Sequence, residues 1–286
     1  MSTEAPKKKK KMMMMVMMMV MMMMTNVINC DQIVEQFNPQ CQPKSTAAEE
    51  VLLREIYDYE KNHRFKTKII EVRGLKAPDP RQHAILNFLK ENVLAKDMSV
   101  LDMGCAAGNV LKLVSESLTG MGGYGNLTGI ELVPGWVTEG NKALQGIAKL
   151  HRGDSTELYL GGKYDLMMMN DVLEHVMTDR YGCLFANIDK YAKEGSYVYF
   201  HLPSPTTQLY DRGQYFENVV PPHLIVVGLA TFGFELHAYE QDVDTKINGK
   251  TVMARHDKPV TKYVHLLFRK TSEDVFRSKT SEKPKY

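Results

Sequence analysis

Cysteine is scarce in this chain of 286 residues. The four, Cys30, Cys41, Cys105 and Cys183, form no C-x-x-C pair and no disulfide-scaffold spacing. That excludes a structural zinc ribbon and a small disulfide-stapled fold, and it suits a reducing compartment. Long apolar runs are missing too. Residues 12–24 give 13 in a row, short of the roughly 20 that cross a bilayer as a helix. A basic body is also absent. Of the net charge of +2, residues 1–11 carry +4 and residues 269–286 carry +3, which leaves −5 on residues 12–268. A surface that grips a phosphate backbone is basic, so nucleic acid is not an expected partner. Tryptophan occurs once, and Trp136 is expected to pack a helix onto a sheet.

What is abundant at the start is lysine and methionine, in KKKKKMMMMVMMMVMMMM. Codons for lysine, methionine and valine can differ by a single base, so a trinucleotide repeat accounts for the run. We read residues 1–30 as a low-complexity tail and expect a cytoplasmic protein with no stable membrane insertion. The alternative is a targeting signal with a basic start and a 13-residue apolar core, although the adjoining TNVINC has no small-x-small cleavage site.

Residues 31–96 read as a helical segment, a lid over the α/β domain. STAAEEVLLREIYDYEKN, 45–62, opens with the capping box Thr46-x-x-Glu49. DPRQHAILNFLKENVLA, 79–95, repeats the signal with Asp79 as N-cap and Pro80 at the first helical position. From residue 97 to 270 strands and helices alternate. Strands are predicted at 99–103, 126–132, 147–153, 164–170, 196–202, 234–240 and 261–270. Helices fall at 109–118, 134–144, 180–193 and 223–233, and 271–286 is a polar tail. This predicts an α/β fold, a Rossmann-like seven-stranded sheet with helices on both faces. It is mostly parallel with an antiparallel last strand, because no helix separates the final two. The long loop 203–222 leaves from one strand end, on the side where open α/β sheets bind ligands.

The chemistry gathers at four strand ends. SVLDMGCAAGN, 99–109, runs a strand into a small-residue turn that opens a helix. It lacks the G-x-G-x-x-G of dinucleotide sites, and Asp102 would repel a phosphate while attracting an amine and a sulfonium. Gly104 and Gly108 let backbone approach a ligand closely. Glu131, ending the second strand, is placed to accept from two ribose hydroxyls. Asp154 comes after the third strand and is placed to accept from an adenine amino group. YDLMMMNDVLEHV, 164–176, breaks a buried strand into Asn170-Asp171. Met167, Met168 and Met169 read as core, and Cys105 as a small loop residue rather than a nucleophile.

Those residues resemble the class I S-adenosylmethionine-dependent methyltransferases over about residues 97–270. The first motif, acid-x-Gly-x-Gly-x-Gly, falls on Asp102, Gly104, Ala106 and Gly108, with alanine at the middle glycine. DVLEHV resembles the segment after the fourth strand of the ubiquinone-biosynthesis-type small-molecule enzymes. The resemblance implies S-adenosyl-L-methionine as cofactor, held by Asp102, Gly104, Cys105, Ala106, Gly108, Glu131, Leu132, Asp154, Ser155 and Asn170. It implies transfer of a methyl group to an oxygen or nitrogen of a small-molecule acceptor; the alternative is a metal-assisted protein or RNA methyltransferase. His201 and His175 are the expected general bases, with His223 a further candidate, and His201 is expected to face the acceptor.

Asp171, Glu174 and His175, at i, i+3 and i+4, are expected on one face of a helical turn. With His201 or His223 they are similar to the E-x-x-E-H…H metal pattern of small-RNA 2′-O-methyltransferases. Aspartate replaces its first glutamate, and we expect no metal there. Oligomeric state is not readable from the chain.

Overall fold

The computed structural model describes residues 78, 80–210, 218–244, 246–247, 250–251 and 260–271. The tail 1–30, the helix expected at 45–62, Asp79 and residues 272–286 lie outside them. The order of elements is α1 (Pro80–Asn92), β1 (Val100–Met103), α2 (Asn109–Gly120), β2 (Leu127–Glu131), α3 (Pro134–Ala143), β3 (Lys149–Arg152) and β4 (Tyr164–Asn170). Next come two 3-10 turns, Leu173–His175 and Thr178–Arg180, then α4 (Tyr181–Tyr191), β5 (Ala192–Pro203), α5 (Pro205–Tyr210) and α6 (Pro222–Ala230). The chain closes with β6 (Phe234–Asp244), a small ribbon β7 (Lys246–Ile247) and β8 (Lys250–Thr251), and β9 (Val260–Lys270).

Seven strands form one sheet in the order β3-β2-β1-β4-β5-β9-β6. From β3 to β5 every pairing is parallel. β9 then inserts between β5 and β6 and runs antiparallel to both. The expected α/β class and antiparallel last strand are therefore observed.

Period-two alternation divides the core. Met167 and Met169 face α4 and α6, where they meet Leu184, Phe185, Ile188, Ile225 and Leu229. Met168 points the other way, into a layer with Val100, Tyr199 and Leu267 under α1, α2 and α3. A strand buried on both faces has no polar side to show, which is why YDLMMMN is nearly all apolar.

Two expectations shift. The helix predicted over 180–193 ends at Tyr191, and Ala192 already pairs with Tyr164 in the sheet. The Lys163 ammonium donates to the carbonyls of Lys190 and Ala192 at 2.9 and 2.8 Å, a cation closing the helix carboxyl end. The loop predicted at 203–222 contains α5, whose first turn Ser204 caps by accepting from Thr207 N at 3.1 Å. Residues 211–217 of that loop lie outside the described ones. Cys105 is a free, buried thiol, whereas Cys183 is disulfide-bonded. Among the described residues no helix is long and apolar enough to cross a membrane.

The described end of the 31–96 segment, α1, is part of the core. Ile85, Leu86, Phe88 and Leu89 are buried, and the Phe88 ring lies 5.4 Å from Tyr199 and 5.0 Å from His265. Phe88→Ala should cost about 3–5 kcal/mol in urea denaturation of the full chain. A loss under about 1 kcal/mol would mean that α1 adds little to the fold.

Candidate active site

β1, β2, β3 and β4 all run out of the sheet at one end, and the acids expected at strand ends collect there. Asp102 is 1 % exposed. Asn170 Nδ2 donates to its Oδ1 at 3.2 Å. Burial pushes the Asp102 carboxyl up to about 7, the Asn170 bond opposes the rise, and the charge of Glu131 adds to it. Asn170 Oδ1 is itself buried with no hydrogen-bond partner among the described residues. A bare amide oxygen beside a carboxyl makes a seat for a cationic donor group, because each unmet acceptor destabilises the empty site.

The turn between β1 and α2 is left-handed at every second residue: Gly104 (φ 88°), Ala106 (φ 49°) and Gly108 (φ 84°). A Cβ on Gly104 would lie 2.4 Å from Val172, and one on Gly108 2.4 Å from Leu144. Both glycines thus serve the backbone conformation and close packing against protein side chains, where the sequence suggested room for a ligand. Ala106 N donates to Glu131 Oε2 and Val133 N to Glu131 Oε1, each at 2.8 Å. A carboxylate has about four acceptor positions, so Glu131 can hold the turn in place and still accept from hydroxyls.

The other expected residues differ in what they offer. Leu132 is 37 % exposed beside Glu131, an apolar surface at the cleft. Asp154 Oδ1 accepts from Thr156 N at 2.7 Å, closing its own turn after β3. Ser155 is buried, and its carbonyl accepts from Asn187 Nδ2 at 2.9 Å. Cys105 fills the space over Gly129, and burial pushes its thiol well up.

The helical turn expected over Asp171, Glu174 and His175 is not formed as such. Asp171 takes a left-handed conformation (φ 53°), and the 3-10 turn begins only at Leu173. That twist carries the Asp171 side chain back to His201, whose Nδ1 lies 2.7 Å from Oδ1. Arg81 of α1 donates to Oδ2. Burial by itself would raise the Asp171 carboxyl, but His201, the hydrogen bond to it and the charges of Arg81 and His175 outweigh it and hold the group low. Glu174 is 1 % exposed, whereas His175 and His223 are exposed.

Asp171, Glu174, His175 and His201 are not drawn together as one ligand set among the described residues: the Asp171 carboxylate is engaged by His201 and Arg81. His201 is buried: its side chain has no exposed surface, and its ring stacks on Tyr263 at 4.7 Å and 21°. Arg81 and Tyr263 went unnoticed in sequence, since nothing in local pattern joins α1 to β9. A hollow of about 350 Å³ lined by Lys149, His151 and Lys163 lies at the amino ends of the strands, away from this site.

Residues 78–237 match a family described as a methyltransferase domain, more than half of the chain. The chain belongs to that family. It is an S-adenosylmethionine-dependent methyltransferase, with S-adenosyl-L-methionine as cofactor. No curated protein matches the chain. Among solved structures it is similar to magnesium protoporphyrin IX methyltransferase from Synechocystis with bound S-adenosylhomocysteine, at 13 % identity and a TM-score of 0.56, covering 78 % of this chain and 100 % of that one. A putative methyltransferase from Haloferax volcanii, in complex with the Trm112 methyltransferase activator, gives 12 %, 0.57, 74 % and 98 %. Geranyl diphosphate C-methyltransferase from Streptomyces coelicolor, with Mg²⁺ and S-adenosyl-L-homocysteine, gives 12 %, 0.52, 66 % and 76 %. At such identities the likeness is one of fold.

The site's chemistry fits the cofactor. Asp102 and Asn170 Oδ1 suit its ammonium, and the carboxylate of Glu131 suits ribose hydroxyls. A carboxyl near pH 7 must ionise to hold a cation, so donor affinity should rise with pH through about 7. The folded protein holds this proton where the unfolded chain, near 3.8, has lost it. Its stabilising contribution is thus full below 3.8 and is lost as pH rises through about 7. Asp102→Asn should gain stability at pH 8 and bind the donor weakly at all pH values, by calorimetry and thermal melts. A variant with unchanged, pH-dependent donor affinity would remove Asp102 from the site. Glu131→Ala should weaken donor binding by about 1–3 kcal/mol, and equal affinity would remove its carboxylate from the donor site.

Proposed function

We propose that the acceptor is a small molecule and receives the methyl group on oxygen or nitrogen. One observation carries this reading. Asn170 and Asp171 are consecutive: the first bonds Asp102 on the donor side, and the second anchors a cluster of Arg81, His201 and His175. Carboxylate, guanidinium and imidazole beside a methyl donor suit a polar acceptor that must lose a proton. The acidic body, −5 over residues 12–268, favours a small molecule over RNA. The resemblance of DVLEHV to the ubiquinone-biosynthesis-type enzymes supports the same class, as does a fold neighbour that methylates magnesium protoporphyrin IX.

The cofactor supplies a methyl on sulfonium, already activated, so the protein's work is alignment and proton removal. His175 is the group for the proton: it is exposed, and close enough for its charge to act on Asp171. Asp171 and Arg81 orient the acceptor, and Leu132 offers apolar surface to the adenine. The second reading, a protein or RNA acceptor, draws on the Haloferax neighbour with its activator protein.

Radiolabelled donor should pass its methyl to a component of a metabolite extract and not to protein or RNA fractions. Label found only in protein or RNA would establish the second reading. His175→Ala should lower kcat on that component by about 10²-fold or more with donor affinity unchanged. Full turnover in that variant would exclude His175 as the base.

A further inference from the structure

A second polar cluster lies under α1, where the last three strands of the sheet meet. His201 on β5 and His265 on β9 are register partners. Asp242 on β6 sits opposite Tyr263 of β9, two residues from His265. One donor atom from each of His201, Asp242 and His265 lies within 4.8 Å of the others. We propose that these three residues hold a divalent transition-metal ion through His201 Nε2, His265 Nε2 and the Asp242 carboxylate.

The rings are prepared for this. Both Nδ1 atoms are already held, that of His201 by Asp171 Oδ1 at 2.7 Å and that of His265 by the Tyr199 hydroxyl at 2.7 Å. On His201 the Asp171 carboxylate accepts from Nδ1, which fixes the tautomer and raises the basicity of Nε2. On His265 Nε2 donates to Asp242 in the empty site, and ion binding moves that proton to Nδ1, where the Tyr199 hydroxyl turns to accept it. Both ring planes are also locked, His201 against Tyr263 and His265 against Phe88 at 5.0 Å and 28°.

One atom asks for a ligand. His201 Nε2 is buried with no hydrogen-bond partner among the described residues, and a bare buried acceptor is unfavourable. His265 Nε2 and Asp242 Oδ2 are 3.1 Å apart. Two ligands at about 2.1 Å from one ion subtend close to a right angle at that separation. The widest donor pair need close by no more than about 0.6 Å, since two such bonds span about 4.2 Å.

Two imidazoles and one carboxylate, with no thiolate, select zinc, iron or cobalt over calcium and magnesium. The Asp242 side chain is 35 % exposed, which supplies an entry path and leaves further positions to water. The site does not depend on methyl transfer, and its readout is ion binding.

The full chain, stripped with chelator, is titrated with Zn²⁺ by calorimetry and with Co²⁺ by visible absorption. One equivalent of each should bind, Co²⁺ with ligand-field bands. His265→Gln and Asp242→Asn should each weaken binding by about 100-fold or more, and Tyr199→Phe by about 10–100-fold. Asp242→Asn decides alone if His265→Gln fails to fold, since its side chain is partly in water. No binding at one equivalent, or binding that Asp242→Asn leaves intact, would overturn the proposal.

Discussion

Asp102 sits at 1 % exposure on β1, between β2 and β4, with one hydrogen bond from Asn170 and no ion pair among the described residues. A carboxyl in that position destabilises the empty fold, and its neighbours make up for it. Val100, Leu101 and Met103 on the same strand are fully buried. The turn after β1 is tied down twice, by Gly104 N and Cys105 N donating to Ile130 O at 2.7 and 3.0 Å and by Ala106 N donating to Glu131. The two acids are linked through this turn, so Glu131 also shapes the loop beside Asp102. Strain at functional sites of this kind is sustained by the surrounding core.

Asp171 carries that arrangement on to the end of β4. Its left-handed backbone ends β4 abruptly, and Asp171 N still donates to His201 O at 2.8 Å, the last rung of the β4–β5 pairing. Aspartate tolerates this conformation better than most residues. One dipeptide, Asn170-Asp171, thus turns its first side chain to Asp102 and its second to the Arg81–His201 cluster. The 3-10 turn after it presents His175 to solvent. Arg180, two turns on, donates to Thr156 Oγ1 at 2.9 Å and ties this rim to the turn that Asp154 closes.

The insertion of β9 between β5 and β6 does more than complete the sheet. It sets His265 beside His201 and brings Asp242 to the same face, from three segments spread over some 65 residues of chain. With Phe88 from α1 and Tyr199 from β5 packed around them, a polar centre is built inside an otherwise apolar layer. Buried polar networks are tolerated when their members are satisfied, and an ion on His201 Nε2 would satisfy this one.

Local pattern carried most of the fold and placed the acids at the strand ends. Runs such as SVLDM and YDLMMMN read as strands because burial on both faces demands continuous apolar residues, and the four acids were visible because each ends a strand. Asp102, Glu131 and Asn170 stand together in the structure because parallel strands leave a sheet at the same end, which chain order alone implies. Which group Asp171 pairs with, how deeply His201 is buried, and that His265 and Asp242 join it were decided by tertiary structure. Those contacts join residues 30 to 90 positions apart through the place of β9 in the sheet and the docking of α1. The physical reason is the range of the forces: periodicity and turn chemistry act over a few residues, whereas pairing and burial depend on where distant segments land.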